Sequence, residues 1–236
     1  MTDPASSLQY PNTDSDSRRV STASAIVEPQ QARSRRTLQR ILDAFEQALH
    51  TQTFEEITVG TLCKRARCSV GTFYGRVESK DVLLDHLRQR VFEEARTALA
   101  ELFSPARARS LTLSRLLAEQ LAVLLDFHLQ RRGVLRAVIV QARRQTAFAG
   151  PTRDFNTSVL RHAADAWLVH RDLIPHPDPE IAVEQAALMA AGYLRESVVF
   201  EELWPTPLPL DRDARLRQLH HLLLAFLTTP PPAEIP

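Results

Sequence analysis

Six consecutive residues, Ser69-Val70-Gly71-Thr72-Phe73-Tyr74, set three hydroxyls and a glycine around one large apolar side chain, and Lys64 and Lys80 flank them. Hydroxyls, ammonium groups and the free N–H groups of a helix start are donors to phosphate oxygens. They are not a catalytic set: no nucleophile, metal or phosphate-loop motif accompanies them.

The elements that must hold these groups are short. Thr58 to Leu84 reads as two short helices joined by a tight turn, then the start of a third. Thr58 starts a helix to about Ala66, its hydroxyl able to accept from a free N–H of the first turn. Ser69 caps a helix over about residues 70–76, and Ser79 caps a long one to about Phe103. Phe73 is the inward anchor of the middle helix, and Ser69, Val70, Thr72 and Tyr74 lie on or near its outward edge. A helix-turn-helix places its second helix in the major groove, where each base pair shows a distinct pattern.

The period is helical along the rest of the chain. Leu38, Ile41, Leu42, Phe45, Ala48 and Leu49 form one face of a first helix over roughly 35–51. Past Pro105, read as a stop, a fifth helix is expected over Ser110 to Arg131, with Gly133 separating it from a sixth over about 134–146. Gly150-Pro151 should break the chain again before a seventh from about Thr152 to His170. The proline run from Ile174 to Pro179 cannot be helix. An eighth helix follows over about Glu180 to Leu203, a proline-rich loop to Leu210, and a ninth over about 211–228. The fold class is therefore all-α, with about nine helices. Residues 1–32, rich in Ser, Thr, Asp, Gln and Pro, read as a disordered tail, and so do residues 229–236.

Charge marks out the working end. Residues 33–80 hold nine Lys/Arg against five Asp/Glu, whereas the whole chain is nearly neutral at +1. A basic module on a neutral body is the footprint of a phosphate-binding head. Two cysteines, Cys63 and Cys68, make no disulfide framework and read as small buried hydrophobes. No secretory pattern and no membrane-spanning run is visible, so a cytoplasmic location is expected. No cofactor and no metal site is expected: His162 and His170, or His220 and His221, lack the i,i+4 spacing that would pair imidazoles on one helix face. Outside the head, Arg131-Arg132 and Arg143-Arg144 read as solvated helix faces.

Ser69 to Tyr74, followed by Glu78-Ser79-Lys80-Asp81-Val82-Leu83-Leu84, resembles the DNA-binding domain of the TetR (tetracycline-repressor-like) family. The resemblance covers about residues 35–90. It implies base-edge contacts from Val70, Gly71 and Thr72. It implies phosphate contacts from Thr58, Ser69, Tyr74 and Lys80, with Arg33, Arg35 and Arg36 as a mobile arm beside the groove. Arg67 stands where a turn glycine is common in the family; a left-handed conformation there would cost on the order of 1 kcal/mol. Val77 replaces a common phenylalanine.

The resemblance extends to the body only in the number, length and order of the helices. It implies a helix-turn-helix domain over 33–80 and a helical ligand-binding and dimerisation domain over 81–228. Phe127, His128, Phe148, Phe155, His162 and Trp167 are the candidates for a small-molecule pocket, although their spacing alone reads as packed core. Residues 180–203, with their small side chains at Ala182, Ala186, Ala187, Ala190, Ala191 and Gly192, and residues 211–228 would form a homodimer interface. The expected function is thus a sequence-specific transcriptional regulator, a repressor released from a double-stranded DNA operator by a small-molecule effector. Two other readings stand beside it. One is an effector-independent DNA-binding or nucleoid protein. The other is an all-helical enzyme using His128, His162 or Asp126.

Overall fold

The computed structural model describes residues 32–204 and 210–232, with side chains from residue 35 onward. Of the expected tail over 1–32, residues 1–31 lie outside the described residues and Ala32 already begins a helix; the side chain of Arg33, the loop over 205–209 and the last four residues also lie outside them. Nine α-helices are present among those described: α1 (Ala32–Leu49), α2 (Val59–Ala66), α3 (Val70–Tyr74), α4 (Lys80–Leu102), α5 (Pro105–Ser110), α6 (Leu113–Arg144), α7 (Thr146–Trp167), α8 (Pro179–Leu194) and α9 (Arg212–Thr228). No helix among the described residues is long and apolar enough to cross a membrane.

Side-chain caps set most of the starts. Thr58, Ser69, Ser79, Ser104, Thr112, Asp178 and Asp211 each accept a hydrogen bond from an N–H in the following first turn. Each such cap contributes about 1 kcal/mol relative to alanine. Two prolines expected to stop helices instead begin them. Pro105 and Pro179 occupy the first turns of α5 and α8, where a missing N–H costs nothing.

The expected breaks in the body are the main differences. α6 runs unbroken through Gly133, so the predicted fifth and sixth helices are one. Gly133 is there for closeness rather than flexibility: a Cβ at this position would overlap the Leu49 carbonyl at the end of α1. α7 likewise contains Pro151 in its interior. The proline removes one backbone bond near the helix start, and burial of Phe148, Thr152 and Phe155 around it offsets that loss. α7 stops at Trp167 and tightens into a 3-10 turn over Leu168–Leu173. α8 ends at Leu194, short of the predicted Leu203, and widens into a π-helical turn over Arg195–Val199.

Two apolar clusters hold the chain together. One joins the head to the body: Phe45, Leu62, Phe73 and Val77 pack with Leu83, Leu87 and Val91 of α4 and with Val134 and Val138 of α6. The other lies within the body, where Leu117 and Leu121 of α6 meet Trp167, Val183, Leu194, Leu223 and Leu227. The second cluster corrects the predicted dimer faces. Ala182, Ala186, Ala187 and Ala190 of α8, and Leu219, Leu223 and Leu227 of α9, are buried in the subunit's own core. Their small size lets α8 pack closely against its own neighbours. The apolar side chains left outward are Ile181 and Leu188 on α8 and Leu222 on α9, each about half exposed.

Candidate nucleic-acid interface and body cavity

Ser69 and Thr58 begin their helices as the sequence predicts. The Ser69 hydroxyl accepts from the Thr72 amide at 3.0 Å and lies 2.8 Å from the Thr72 hydroxyl. Thr58 repeats the arrangement with Thr61, at 3.1 and 2.9 Å. Both hydroxyl pairs are on exposed surface, so each helix start presents oriented polar groups outward. Arg67 makes the turn between α2 and α3. Its φ of 51° and ψ of 52° are left-handed, and it is the only non-glycine residue with positive φ among those described. Its N–H closes onto the Lys64 carbonyl at 3.3 Å, and the Cys68 N–H reaches the Cys63 carbonyl at 3.0 Å.

α3 is fixed by one side chain. Phe73 is fully buried, while Val70 and Tyr74 are 49% and 55% exposed. Burying a phenylalanine contributes about 2–3 kcal/mol, which holds this five-residue helix to the head despite its length. Gly71 is exposed, and a Cβ there would meet nothing closer than 3.9 Å within the chain. Nothing among the described residues crowds this position, so the backbone of α3 is open to close approach from outside. The tip of α3 therefore carries Val70, Gly71 and Tyr74 outward, with Thr72 half-buried.

Lys80 departs from the expected phosphate clamp. Its ammonium turns inward, donating to the carbonyls of Phe54 at 2.5 Å and Ile57 at 2.8 Å, and lies 4.4 Å from the centre of the Phe54 ring. The chain's geometry makes it a tie between the first turn of α4 and the α1–α2 loop. Those two carbonyls would otherwise lack donor partners among the described residues, a need that sequence spacing cannot reveal. Arg35 and Arg36 are exposed on α1 itself, so they are part of a helix rather than of an extended arm. Cys63 is buried, and burial together with the neighbouring Cys68 pushes its thiol up to about 11. That is an inert thiol at neutral pH.

Ion pairs bind the head to the body, and the sequence reading missed them. Arg90 of α4 bonds Asp43 at 2.9 Å and Glu46 at 2.5 Å, both on α1. Arg131 of α6 reaches the same Glu46 and also Glu94 of α4. Arg144 bonds Glu55 at 2.7 Å, and Gln145 donates to Asp81 at 3.1 Å. Arg132 pairs with Glu201. Three of the four arginines taken for solvated faces are therefore in ion pairs, and Arg143, also exposed, acts on Glu196 through its charge. Acidic residues at 46, 55 and 94 carried no signal of this, because their partners are distant in sequence.

The six pocket candidates separate. A cavity of about 190 Å³ lies between α4, α6, α7 and α8. His128 and Trp167 line it; Phe127, Phe148, Phe155 and His162 do not. Phe148 and Phe155 are core, the latter stacked on Phe92 with ring centres 4.0 Å apart. Phe127 packs at the edge of the same cluster. His162 is exposed, its Nδ1 bonded to the Ser158 carbonyl at 2.6 Å. His128 is bonded through Nδ1 to the Leu124 carbonyl at 2.7 Å, which fixes the proton on Nδ1, and burial holds its pKa below the usual histidine value. Trp167 donates to Gln120 at 2.6 Å. Thr152 and Arg195, unremarked in the sequence, also line the cavity.

The residues suggested for catalysis do not converge. Asp126 is held by both ends of Arg212, at 2.6 and 2.7 Å, which lowers its pKa. His162 is outside the cavity that His128 lines.

No family model matches the chain, and no curated protein matches it by sequence. Its fold does match solved structures. A transcriptional regulator of the TetR/AcrR family from Aquifex aeolicus shares 18% identity, with a TM-score of 0.57 over 79% of this chain and 97% of that one. A TetR transcription regulator from Haloarcula marismortui shares 15%, with a TM-score of 0.61 over 81% of this chain and 96% of the other. A regulatory protein of the tetR family from Rhodococcus superposes equally well, at 15% identity and a TM-score of 0.61.

Proposed function

We propose that this chain, which has the all-α fold of the TetR-family transcriptional regulators, is a sequence-specific DNA-binding regulator. The observation that carries the reading is the tip of α3: Phe73 buried, Val70 and Tyr74 outward, and an exposed glycine between them that nothing among the described residues crowds. Val70, Gly71 and Thr72 meet base edges in the major groove; Tyr74, Thr58 and Ser69 meet phosphates, with Arg35 and Arg36 adding charge alongside.

The regulator acts as a homodimer. One short helix reads few bases, and each mismatched pair is worth only about 1–3 kcal/mol, so two half-sites are needed. The outward side chains of α8 and α9, Ile181 and Leu222, support a contact between twins. Two copies of α3 then lie about 34–36 Å apart, one turn of B-DNA.

The protein is a repressor released by a small molecule bound in the body cavity. α6 supports this coupling because it lines the cavity through His128 and holds the head through Arg131 and Gly133. A shift of α6 reaches α1 and α4 directly, and the coupling required is about 1–3 kcal/mol.

Selecting bound sequences from a random DNA pool tests the reading. A near-palindrome with half-sites one helical turn apart is expected. Tyr74→Phe should weaken binding to every sequence, whereas Thr72→Ala should change which sequence is preferred. Recovery of DNA without any shared motif would leave a nonspecific binder.

A further inference from the structure

We propose that the body cavity takes a small amphiphilic anion, an apolar body ending in a carboxylate, with Arg195 and Thr152 holding the carboxylate. The proposal rests on the ligand-responsive reading above and names the chemistry of the ligand.

Size comes first. The cavity measures about 190 Å³. That is the liquid volume of about six waters, or room for roughly ten non-hydrogen atoms of an organic molecule. Its walls are chiefly apolar, with Phe92 and Trp167 supplying aromatic surface. An apolar body of one ring or a short chain suits such walls.

Charge comes second. Among the lining residues Arg195 alone carries a fixed charge. Glu196 takes its Nε edge at 2.9 Å and is itself held by the Trp204 indole N–H at 3.0 Å. The carboxylate of Glu196 is therefore anchored to one side. Nη1 and Nη2 of Arg195 bond no protein group among the described residues. The Arg195 side chain is 43% exposed, so water can reach these nitrogens, and their geometry also suits a planar, bidentate acceptor, which a carboxylate is.

An independent observation is the Thr152 hydroxyl. Thr152 is buried at 8% exposure, yet its hydroxyl has no hydrogen-bond partner among the described residues. Leaving such a group unmade costs about 1–3 kcal/mol, which a ligand oxygen would offset. Thr152 and Arg195 both line the cavity, Thr152 from the first third of α7 and Arg195 from just past the end of α8. Arg195 also opens the π-helical turn Arg195–Val199, a local irregularity of the kind often found at functional sites. Arg195 is the one Lys or Arg among the lining residues.

Three probes with one ring and one chain length separate charge from shape: 3-phenylpropionate, 3-phenylpropan-1-ol and 3-phenylpropylammonium. Calorimetry on the full chain is expected to show the carboxylate binding at least about tenfold more tightly than the alcohol, as for one charge-assisted pair. The ammonium should not bind. Arg195→Gln should bring the carboxylate down to the affinity of the alcohol, and Thr152→Val should weaken the carboxylate more than the alcohol. Equal affinities for carboxylate and alcohol, preference for the ammonium, or no binding by any of the three would overturn the proposal, whatever the variants do. Gel shifts of the ligand-free protein on selected DNA are read separately. Their failure would sink the regulator reading and leave the probe affinities standing.

Discussion

Gly133, in the middle of α6, lies against the carbonyl of Leu49 at the end of α1, leaving no room for a side chain. This is where the body's longest helix touches the head's backbone. Gly133→Ala forces α1 and α6 apart against a rigid carbonyl, and overpacking of this kind costs about 1–3 kcal/mol. The expected result is a lower denaturation midpoint, and DNA binding altered without any change at α3. A variant as stable as the original would show that the contact relaxes freely.

Lys80 should behave as a structural tie. Its two bonds to the Phe54 and Ile57 carbonyls are charge-assisted, each worth about 1.5–3 kcal/mol. Lys80→Met is expected to lower stability and weaken binding to all DNA alike, because it loosens the α1–α2 loop. Tyr74→Phe, by contrast, should weaken DNA binding with stability unchanged, since Tyr74 is exposed. Urea titration of both variants distinguishes the two roles. Lys80→Met with undiminished stability would return Lys80 to direct phosphate contact.

Arg67 holds a left-handed conformation that costs an L-residue about 1–2 kcal/mol. Arg67→Gly removes the strain but frees the unfolded chain, so a net gain of up to about 1 kcal/mol is expected. Were the guanidinium also on a phosphate, the slope of log affinity against log salt would fall by about one. Measuring stability and salt slope on the same variant separates strain from charge.

His128 gives the chain a pH dependence of definite sign. Burial depresses its folded pKa, so the unfolded state binds the proton more readily. Its contribution is present above the unfolded value near 6.5 and is lost as pH falls through the folded value. His86 is shifted in the same direction, also by burial. The loss of stability between pH 7 and 5 should therefore be smaller in His128→Gln than in the original chain. Parallel denaturation curves for the two across that range would remove His128 from the account.

Ile181 and Leu222 carry the dimer reading, because Leu188 also lines the body cavity. Ile181→Arg with Leu222→Arg should give one subunit per particle in sedimentation, with folding retained, because both side chains are outward at 56% and 50% exposure. A particle of unchanged size would move the interface elsewhere.

The sequence by itself determined the all-α class, the caps at Thr58, Ser69 and Ser79, and the anchor at Phe73. Each depends on neighbours within a few residues. A hydroxyl meets an N–H three positions on, and an apolar side chain recurs at the helical period. The family resemblance marked Arg67 as standing where a turn glycine is common, and the structure shows that the left-handed conformation is kept there. The tertiary structure decided the rest. Gly133 and Pro151 are breakers by local rule, and long-range packing overrode both. Lys80 looks solvent-bound until the loop carbonyls 23 and 26 residues away come to it. The alanines of α8 signal close approach, but not to which neighbour. Arg195 and Thr152 are 43 positions apart, and only the packing of α7 on α8 brings both to the wall of one cavity.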